Sequence, residues 1–328
     1  METNKKMLNK ITTELKKRFS KNGQHRKALT ELKKLKKEYP ENEMIHKLIK
    51  FYRQKIYGIK GKRFLHDKII DLFETNFTHT HTHTIFEIEN LKFDLDLHPS
   101  TKKIFCTELI DLLCSDDYFK KSESNYLFYQ TMKILQDEGP YQYNSVSLQP
   151  NDTVIDVGAN IGMFSIFANH FYGCKCYAFE PVSSTAKLLL KNLVLNKMEE
   201  SIVIEPYALS DKVCDLDIWI SKNNINAASF VINPEDLAGL EKIHCITLDQ
   251  WVKENDVQKI DFIKADIEGA ERYMLQGATN VLKTFAPKLS ICTYHLPDDP
   301  QVLEDIILKT NPKYKVEQAS KKLYAYVP

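Results

Sequence analysis

Residues 153–162 read Thr-Val-Ile-Asp-Val-Gly-Ala-Asn-Ile-Gly, and no other stretch constrains the fold as tightly. Thr153, Val154 and Ile155 lead in as a short β-type run. Met163 to His170 lead out with the helical spacing of Phe164, Ile166 and Phe167. A strand, a glycine turn and a helix in direct succession make a βα turn of the kind that cradles a ligand. Glycine lets such a backbone turn sharply and approach a neighbour where a Cβ would collide.

The pattern repeats beyond residue 150. Apolar runs at 153–157, 175–180, 201–208, 260–265 and 288–293 read as strands, and helical periodicity falls near 162–171, 183–196, 270–284 and 299–310. This alternation predicts an α/β domain with a parallel sheet covered on both faces. An antiparallel hairpin is expected at 314–318 and 322–327, turning at Ala319-Ser320. Between 208 and 260 the sequence predicts an inserted segment, with antiparallel strands at 214–220 and 229–232 and a short helix at 249–252.

Ligands bind beyond the carboxyl ends of such strands. The first strand ends in Asp156 and the glycine turn, and the second in Glu180-Pro181. The third ends in Ala208-Leu209-Ser210-Asp211. The fourth ends in Lys264-Ala-Asp266-Ile-Glu268-Gly-Ala-Glu271, and the fifth in Thr293-Tyr294-His295. Singly, each has a plain structural explanation. Glu180 or Asp266 could cap the next helix, Glu268 and Glu271 suit a helix N-terminus, and His295 could be a satisfied core histidine. Together they place polar groups along one edge of one sheet.

Two cofactors use that arrangement. A dinucleotide site expects G-x-G-x-x-G, a spacing absent from Gly158-Ala-Asn160-Ile-Gly162. Asp156 would also repel a pyrophosphate, whereas it suits an ammonium group. Glu180 follows Asp156 by 24 positions, about where an acid grips ribose hydroxyls in a βαβ unit. The combination points to S-adenosyl-L-methionine, which carries an amino-acid tail and a ribose.

Asp156–Gly162, Phe179-Glu-Pro181, Ala208–Asp211, Thr247-Leu-Asp249, Ile263–Glu271 and Leu275-Gln-Gly-Ala278 together resemble the FkbM-type methyltransferases. Glu138-Gly-Pro-Tyr141 resembles the lead-in to their first strand. The likeness covers about 136–310. It implies a class I methyltransferase-like Rossmann sheet and an S-adenosylmethionine-dependent O-methyltransferase acting on a hydroxyl of a sugar, glycan or secondary metabolite. By that likeness Asp156, Gly158, Asn160 and Gly162 hold the methionine end, Glu180 with Pro181 holds the ribose, and Ala208, Leu209 and Ser210 border the adenine. Asp266 would lie near the methyl group, with Tyr141, Glu268 and Tyr294 on the acceptor side.

An alcohol needs its proton removed to attack a methyl group in line. His295 or Asp266 is the expected general base, and histidine is the better matched to neutral pH. Asp266 and Glu268 could instead hold a divalent cation, although no metal ligand set is assigned from sequence. Two other function classes stay in view: a nucleic-acid or protein methyltransferase, and a non-catalytic scaffold. An Asn/Asp-Pro-Pro-aromatic block, usual in amino-methylating DNA enzymes, is replaced here by Asp266-Ile-Glu-Gly.

The charge balance separates an N-terminal arm. Positions 1–62 hold 19 Lys and Arg against 6 acidic residues, although the whole chain of 328 residues nets only +1. Helical spacing of Leu8, Ile11, Leu15 and Phe19 and of Ala28, Leu32 and Leu35 predicts a basic helical arm suited to docking, oligomerisation or an anionic partner. Residues 63–135 are expected to form a small α+β cap, with alternating His79, His81 and His83 on one strand face, and 136–328 the S-adenosylmethionine-binding domain. Seven cysteines without a CxxC pair predict free thiols in a reducing compartment. No apolar run approaches the ~18 residues of a membrane span, so a cytoplasmic protein is expected.

Overall fold

The computed structural model describes residues 77–79, 84–88, 90–95, 109, 139–221, 228–229 and 237–328. The helical arm, most of the expected cap, and His81 and His83 lie outside the described residues. The chain divides into two compact units, one of residues 1–75 with 116–136 and the other of 76–115 with 137–328. All described residues belong to the second unit.

That unit begins with three antiparallel strands, β1 (Phe77–His79), β2 (Thr84–Ile88) and β3 (Leu91–Asp94). The β2–β3 hairpin turns at Asn90, which takes the left-handed φ of 66° that asparagine tolerates. Phe86, Leu91 and Phe93 are buried, as the alternation predicts.

The central sheet contains β4 (Thr153–Val157), β5 (Lys175–Phe179), β6 (Ile202–Glu205), β11 (Phe262–Ala265), β12 (Lys288–Cys292), β13 (Lys315–Ala319) and β14 (Lys322–Tyr326). Their spatial order is β13-β14-β12-β11-β4-β5-β6. The five strands from β12 to β6 are parallel, and β14 enters antiparallel between β12 and β13. The sheet is flanked by α1 (Met163–Tyr172), α2 (Ser183–Asn196), α3 (Leu248–Glu254), α4 (Glu271–Gln276), α5 (Thr279–Thr284) and α6 (Asp299–Thr310).

Alternate strand residues serve opposite faces. Ile155, Val157, Ile263, Ala265, Leu289 and Ile291 share one core cluster with Trp251 of α3 and Leu303 of α6. On neighbouring positions Phe262 packs against Phe164 of α1, with ring centroids 5.9 Å apart. Asp156 and Lys264 share the Phe262 phase, and this accounts for two charged residues inside the sheet.

Two sequence expectations change. The third run, read as one strand over 201–208, is broken at Pro206, which cannot donate to a ladder. β6 stops at Glu205, and β7 (Ala208–Leu209) joins a second, four-stranded sheet of order β7-β10-β8-β9. There β8 is Cys214–Ser221, β9 is Ala228–Ser229 and β10 is Leu237–Ile246. The helix expected over 270–284 is two helices, because the Gly277 carbonyl turns aside to accept from Asp249 N (3.0 Å). Asp249 then caps α5, accepting from Asn280 N and Val281 N at 2.9 Å each. The sequence blocks 247–249 and 275–278 therefore brace each other.

Cys174, Cys176, Cys214, Cys245 and Cys292 are free thiols. Among the described residues no helix is long and apolar enough to cross a membrane.

Candidate active site

The glycine turn closes on itself through Gly158 N and Ala159 N, which both donate to the Phe179 carbonyl at 3.1 and 3.0 Å. Gly158 has φ 73° and Gly162 has φ 89°. A Cβ on Gly158 would collide with the Asp266 carbonyl oxygen, and one on Gly162 with Leu189 of α2. The close approach that requires glycine is therefore made to the end of β11 and to a helix within the protein. Asn160 also takes a left-handed φ, 52°. Its Oδ1 is buried without a hydrogen-bond partner.

Asp156 lies beneath this turn, fully buried. Its Oδ2 accepts from Ser165 Oγ (2.7 Å), and its Oδ1 stands 3.0 Å from Lys264 Nζ. Lys264 also donates to the Gly158 carbonyl (2.8 Å). The expectation that Asp156 faces a ligand ammonium is corrected: its carboxylate is engaged on both oxygens and turned into the protein, where it holds the turn.

Glu180 closes the other side. Its Oε2 accepts from Asn160 N (2.9 Å) and its Oε1 from Val182 N (3.0 Å). Each oxygen keeps a lone pair for a ligand hydroxyl. Burial pushes this carboxyl up to about 7, against the two backbone donors and Lys264, which draw it down. Pro181 follows in the lead into α2. α1 has Gly162 as its N-cap, with no side-chain cap and no acid in its first turn, so its first backbone amides are left for a ligand carboxylate. Asn192 of α2 donates to the Ile161 carbonyl (2.9 Å) and accepts from Asp94 N (2.6 Å). The β2–β3 hairpin is thereby pinned to the back of the turn.

Ala208 and Leu209 pair in parallel with Cys245 and Ile246 of β10, and Ser210 N donates to the Ile246 carbonyl (3.0 Å). Ala208 and Leu209 thus belong to the second sheet, and Ser210 follows it.

The ends of β11 and β12 bring the remaining residues together. Tyr141 Oη donates to Asp266 Oδ2 (3.0 Å) and Tyr294 Oη to Asp266 Oδ1 (3.1 Å). Tyr141 reaches this point because its own segment is clamped by β14. Lys322 Nζ donates to the Gly139 carbonyl (2.8 Å) and sits 4.3 Å from the Tyr141 ring centre, and Tyr324 Oη donates to the Pro140 carbonyl. Burial raises the Asp266 carboxyl, but Lys264, His295, Lys322 and the Tyr141 hydroxyl outweigh it and hold the group below its usual range.

His295 is ringed by acids. Nδ1 lies 3.0 Å from Glu271 Oε1, and Nε2 lies 3.5 Å from Asp266 Oδ1 and 3.6 Å from Glu268 Oε2. Desolvation opposes its charged form, yet Glu271, Asp266 and Glu268 together push the imidazole up to about 9. Its side chain is 2% exposed, against 15% for Asp266 and 32% for Glu268. Arg272 ion-pairs with Asp298 and Asp299 at the start of α6 and so fixes the loop that carries His295.

The structure thus assembles two adjoining groups from the expected residues. The turn carries Gly158, Asn160 and Gly162 with Glu180, and the second group comprises Asp266, Glu268, Tyr294, His295 and Tyr141. Sequence reasoning gave no role to Lys264 and took Glu271 for a helix-favouring acid. The available signal for Lys264 was a lysine inside an apolar strand, which needs a buried counter-charge.

Five parallel strands, an antiparallel strand inserted before the edge, and a glycine turn at the first strand end define a class I methyltransferase-like fold. Within it, residues 156–314 match the family model described as the Methyltransferase FkbM domain. It is 24% identical over 164 residues to methyltransferase sdnD of Sordaria araneosa, covering 41% of this chain and 63% of that protein. It is 28% identical over 153 residues to the hexuronic acid methyltransferase AglP of Haloferax volcanii, covering 47% and 60%. A shorter match, 38% over 73 residues, links it to the 31-O-demethyl-FK506 methyltransferase FkbM of Streptomyces tacrolimicus, covering 22% and 27%. Among solved structures it is similar to a methyltransferase FkbM from Methylobacillus flagellatus KT, with TM-score 0.44 and 20% identity over 69% of this chain and 59% of that one. The matched stretches span less than two thirds of the length of each of these relatives.

Proposed function

We propose that this protein is an S-adenosylmethionine-dependent O-methyltransferase acting on a hydroxyl of a sugar, glycan or secondary metabolite. The observation that carries the reading is the pairing of Glu180 with the glycine turn. A buried carboxylate with lone pairs left for a ribose diol stands beside an unpartnered Asn160 Oδ1 and an uncapped helix N-terminus. A ribose, an ammonium and a carboxylate on one ligand match those three features.

S-adenosylmethionine, when bound, supplies an electrophilic methyl group. The chain's part is to bind, orient and take a proton. Glu180 grips the ribose, and the turn positions the amino-acid end. Asp266 is fixed by two tyrosine hydroxyls and presents its remaining lone pairs where the acceptor enters. The half-buried carboxylates Asp266 and Glu268 receive the hydroxyl proton. His295, almost wholly buried behind them, orients these acids without meeting the acceptor. Alignment within about 3–3.5 Å of the attacked carbon is the main demand on such a site. Two relatives are named for a hexuronic acid and for a 31-O-demethyl compound, and this supports an oxygen acceptor on a sugar or metabolite.

The test is transfer from methyl-labelled S-adenosylmethionine to a panel of glycans, hydroxylated metabolites, RNA and protein, with mass spectrometry of the product. Label on a hydroxyl of a glycan or metabolite is expected. Label confined to RNA or protein would overturn the acceptor assignment, and absence of S-adenosylmethionine binding by calorimetry would overturn the enzyme reading.

A further inference from the structure

We infer that Asp266, Glu271 and His295 form a binding site for one divalent cation, which holds the acceptor hydroxyl. The inference rests on the methyl-transfer reading for the purpose of the ion but not for its binding. One ligand atom from each of the three residues lies within 4.8 Å of the others. Metal–ligand bonds of about 2.0–2.6 Å allow ligand atoms to stand up to roughly twice that distance apart, so a single ion can reach all three.

Proximity of acids alone would not make a site. The independent observation is that buried polar atoms here lack hydrogen bonds. His295 Nε2 has no hydrogen-bond partner, although the side chain is only 2% exposed. His295 Nδ1 is ion-paired with Glu271 Oε1 at 3.0 Å, so Nε2 is the nitrogen left for a further ligand. Glu271 is fully buried, and its Oε2 also lacks a partner. Leaving such groups unsatisfied costs about 1–3 kcal/mol each; a coordinated cation would take Glu271 and one ring nitrogen of His295, releasing the imidazolium proton to solvent. Its charge also answers three carboxylates that converge on one imidazole.

The surroundings suit a bound ion. Glu271 Oε1 is oriented by Ile267 N (2.9 Å), and the two Asp266 oxygens by Tyr141 and Tyr294, so the ligands have outer partners that fix their direction. Two carboxylates and one imidazole favour Mn²⁺ or Zn²⁺ over Mg²⁺. Asp266 is the one ligand of the three that is only half-buried, and half-buried Glu268 stands beside it, so the open coordination position faces the acceptor side. There the ion would polarise the hydroxyl oxygen, and the proton released would pass to Glu268.

The experiment uses the full chain, stripped with a chelator and dialysed. Titration calorimetry with MnCl₂ and ZnCl₂, with MgCl₂ as comparison, is expected to give one site per chain, weakened at least 10-fold in Glu271→Gln and His295→Gln. Pulsed electron paramagnetic resonance of the Mn²⁺-loaded wild-type chain is expected to show coupling to an imidazole nitrogen, a readout that depends on no variant folding. Absence of saturable binding, or bound Mn²⁺ without nitrogen coupling, would overturn the site. S-adenosylmethionine binding is titrated on the same samples. Its loss with the cation site intact counts against the methyltransferase reading alone.

Discussion

Lys264 and Asp156 are register partners on neighbouring parallel strands, and their side chains meet 3.0 Å apart under the glycine turn. Both are almost wholly removed from solvent, at 6% and 0% side-chain exposure. Lys264 also donates to the Gly158 carbonyl. One ammonium therefore ties the fourth strand end to the turn of the first, so the two halves of the candidate site are fixed relative to each other before any ligand arrives.

Breaking that pair should be costly. Lys264→Met would leave Asp156 buried and uncompensated, which typically costs about 3–5 kcal/mol. Lys264→Met combined with Asp156→Leu removes both charges and should recover much of the loss. Urea unfolding of the single and double variants measures the coupling. A Lys264→Met midpoint equal to wild type would show that the pair does not support the fold.

Glu180 gives a pH signature. Its carboxyl sits at about 7 when folded, raised by burial from an ordinary 4.5. The folded chain therefore binds this proton more tightly than the unfolded chain. Between those two values the unfolded state is the first to release it, so this group's contribution lowers stability as pH rises through the window. The ligand effect runs the other way. Ribose hydroxyls need the carboxylate as acceptor, so S-adenosylmethionine affinity should rise with pH up to and just beyond 7. Calorimetry across pH 5.5–8.5 should show this rise, and Glu180→Gln should flatten it while weakening binding. An unchanged slope in that variant would assign the titration to another group.

The sheet was legible because its strands are apolar, short and punctuated, and the terminal hairpin because two short runs flank a tight turn after Ala319. The β6–β7 break hinged on Pro206, whose missing donor shifts the chain into a second sheet. The strand β10 was only partly visible: Leu240 is 58% exposed and Ile243 is buried, so Gly239 and the charges of Glu241 and Lys242 obscure its period. In the site, the residue types at strand ends were readable, but which way each faces was not. Asp156 looked like a ligand acid because its position matches one. Only its cross-strand neighbour Lys264 and Ser165, nine residues on, reveal that it points inward. Glu271 was hidden for the same reason: a glutamate at a helix start has a sufficient local explanation until His295, from the loop after β12, is placed beside it.

The hydroxyls on Asp266 should matter to turnover more than to cofactor affinity. Tyr141→Phe and Tyr294→Phe each remove one hydrogen bond to a carboxylate, worth about 1.5–3 kcal/mol. With the acceptor found by the labelling screen, each should lower kcat by about 10- to 100-fold, while S-adenosylmethionine affinity changes by less than about twofold. Equal losses in both quantities would mean that the tyrosines support the fold of the whole site rather than Asp266.

Gly158→Ala tests whether the turn is shaped by packing inside the protein. At φ 73° an L side chain is strained, by about 1–2 kcal/mol. Its Cβ would also drive into the Asp266 carbonyl and against Ile267 Cγ2, and overpacking of that kind costs about 1–3 kcal/mol. A total loss of about 2–5 kcal/mol is expected, together with weaker S-adenosylmethionine binding, because the strand end carrying Asp266 must retreat. Gly239→Ala is the control. A Cβ there meets nothing within 4 Å, so its stability should stay within about 0.5 kcal/mol of wild type. Equal unfolding midpoints for the two variants would mean that the turn yields freely, and that its glycines serve some purpose other than close packing on β11.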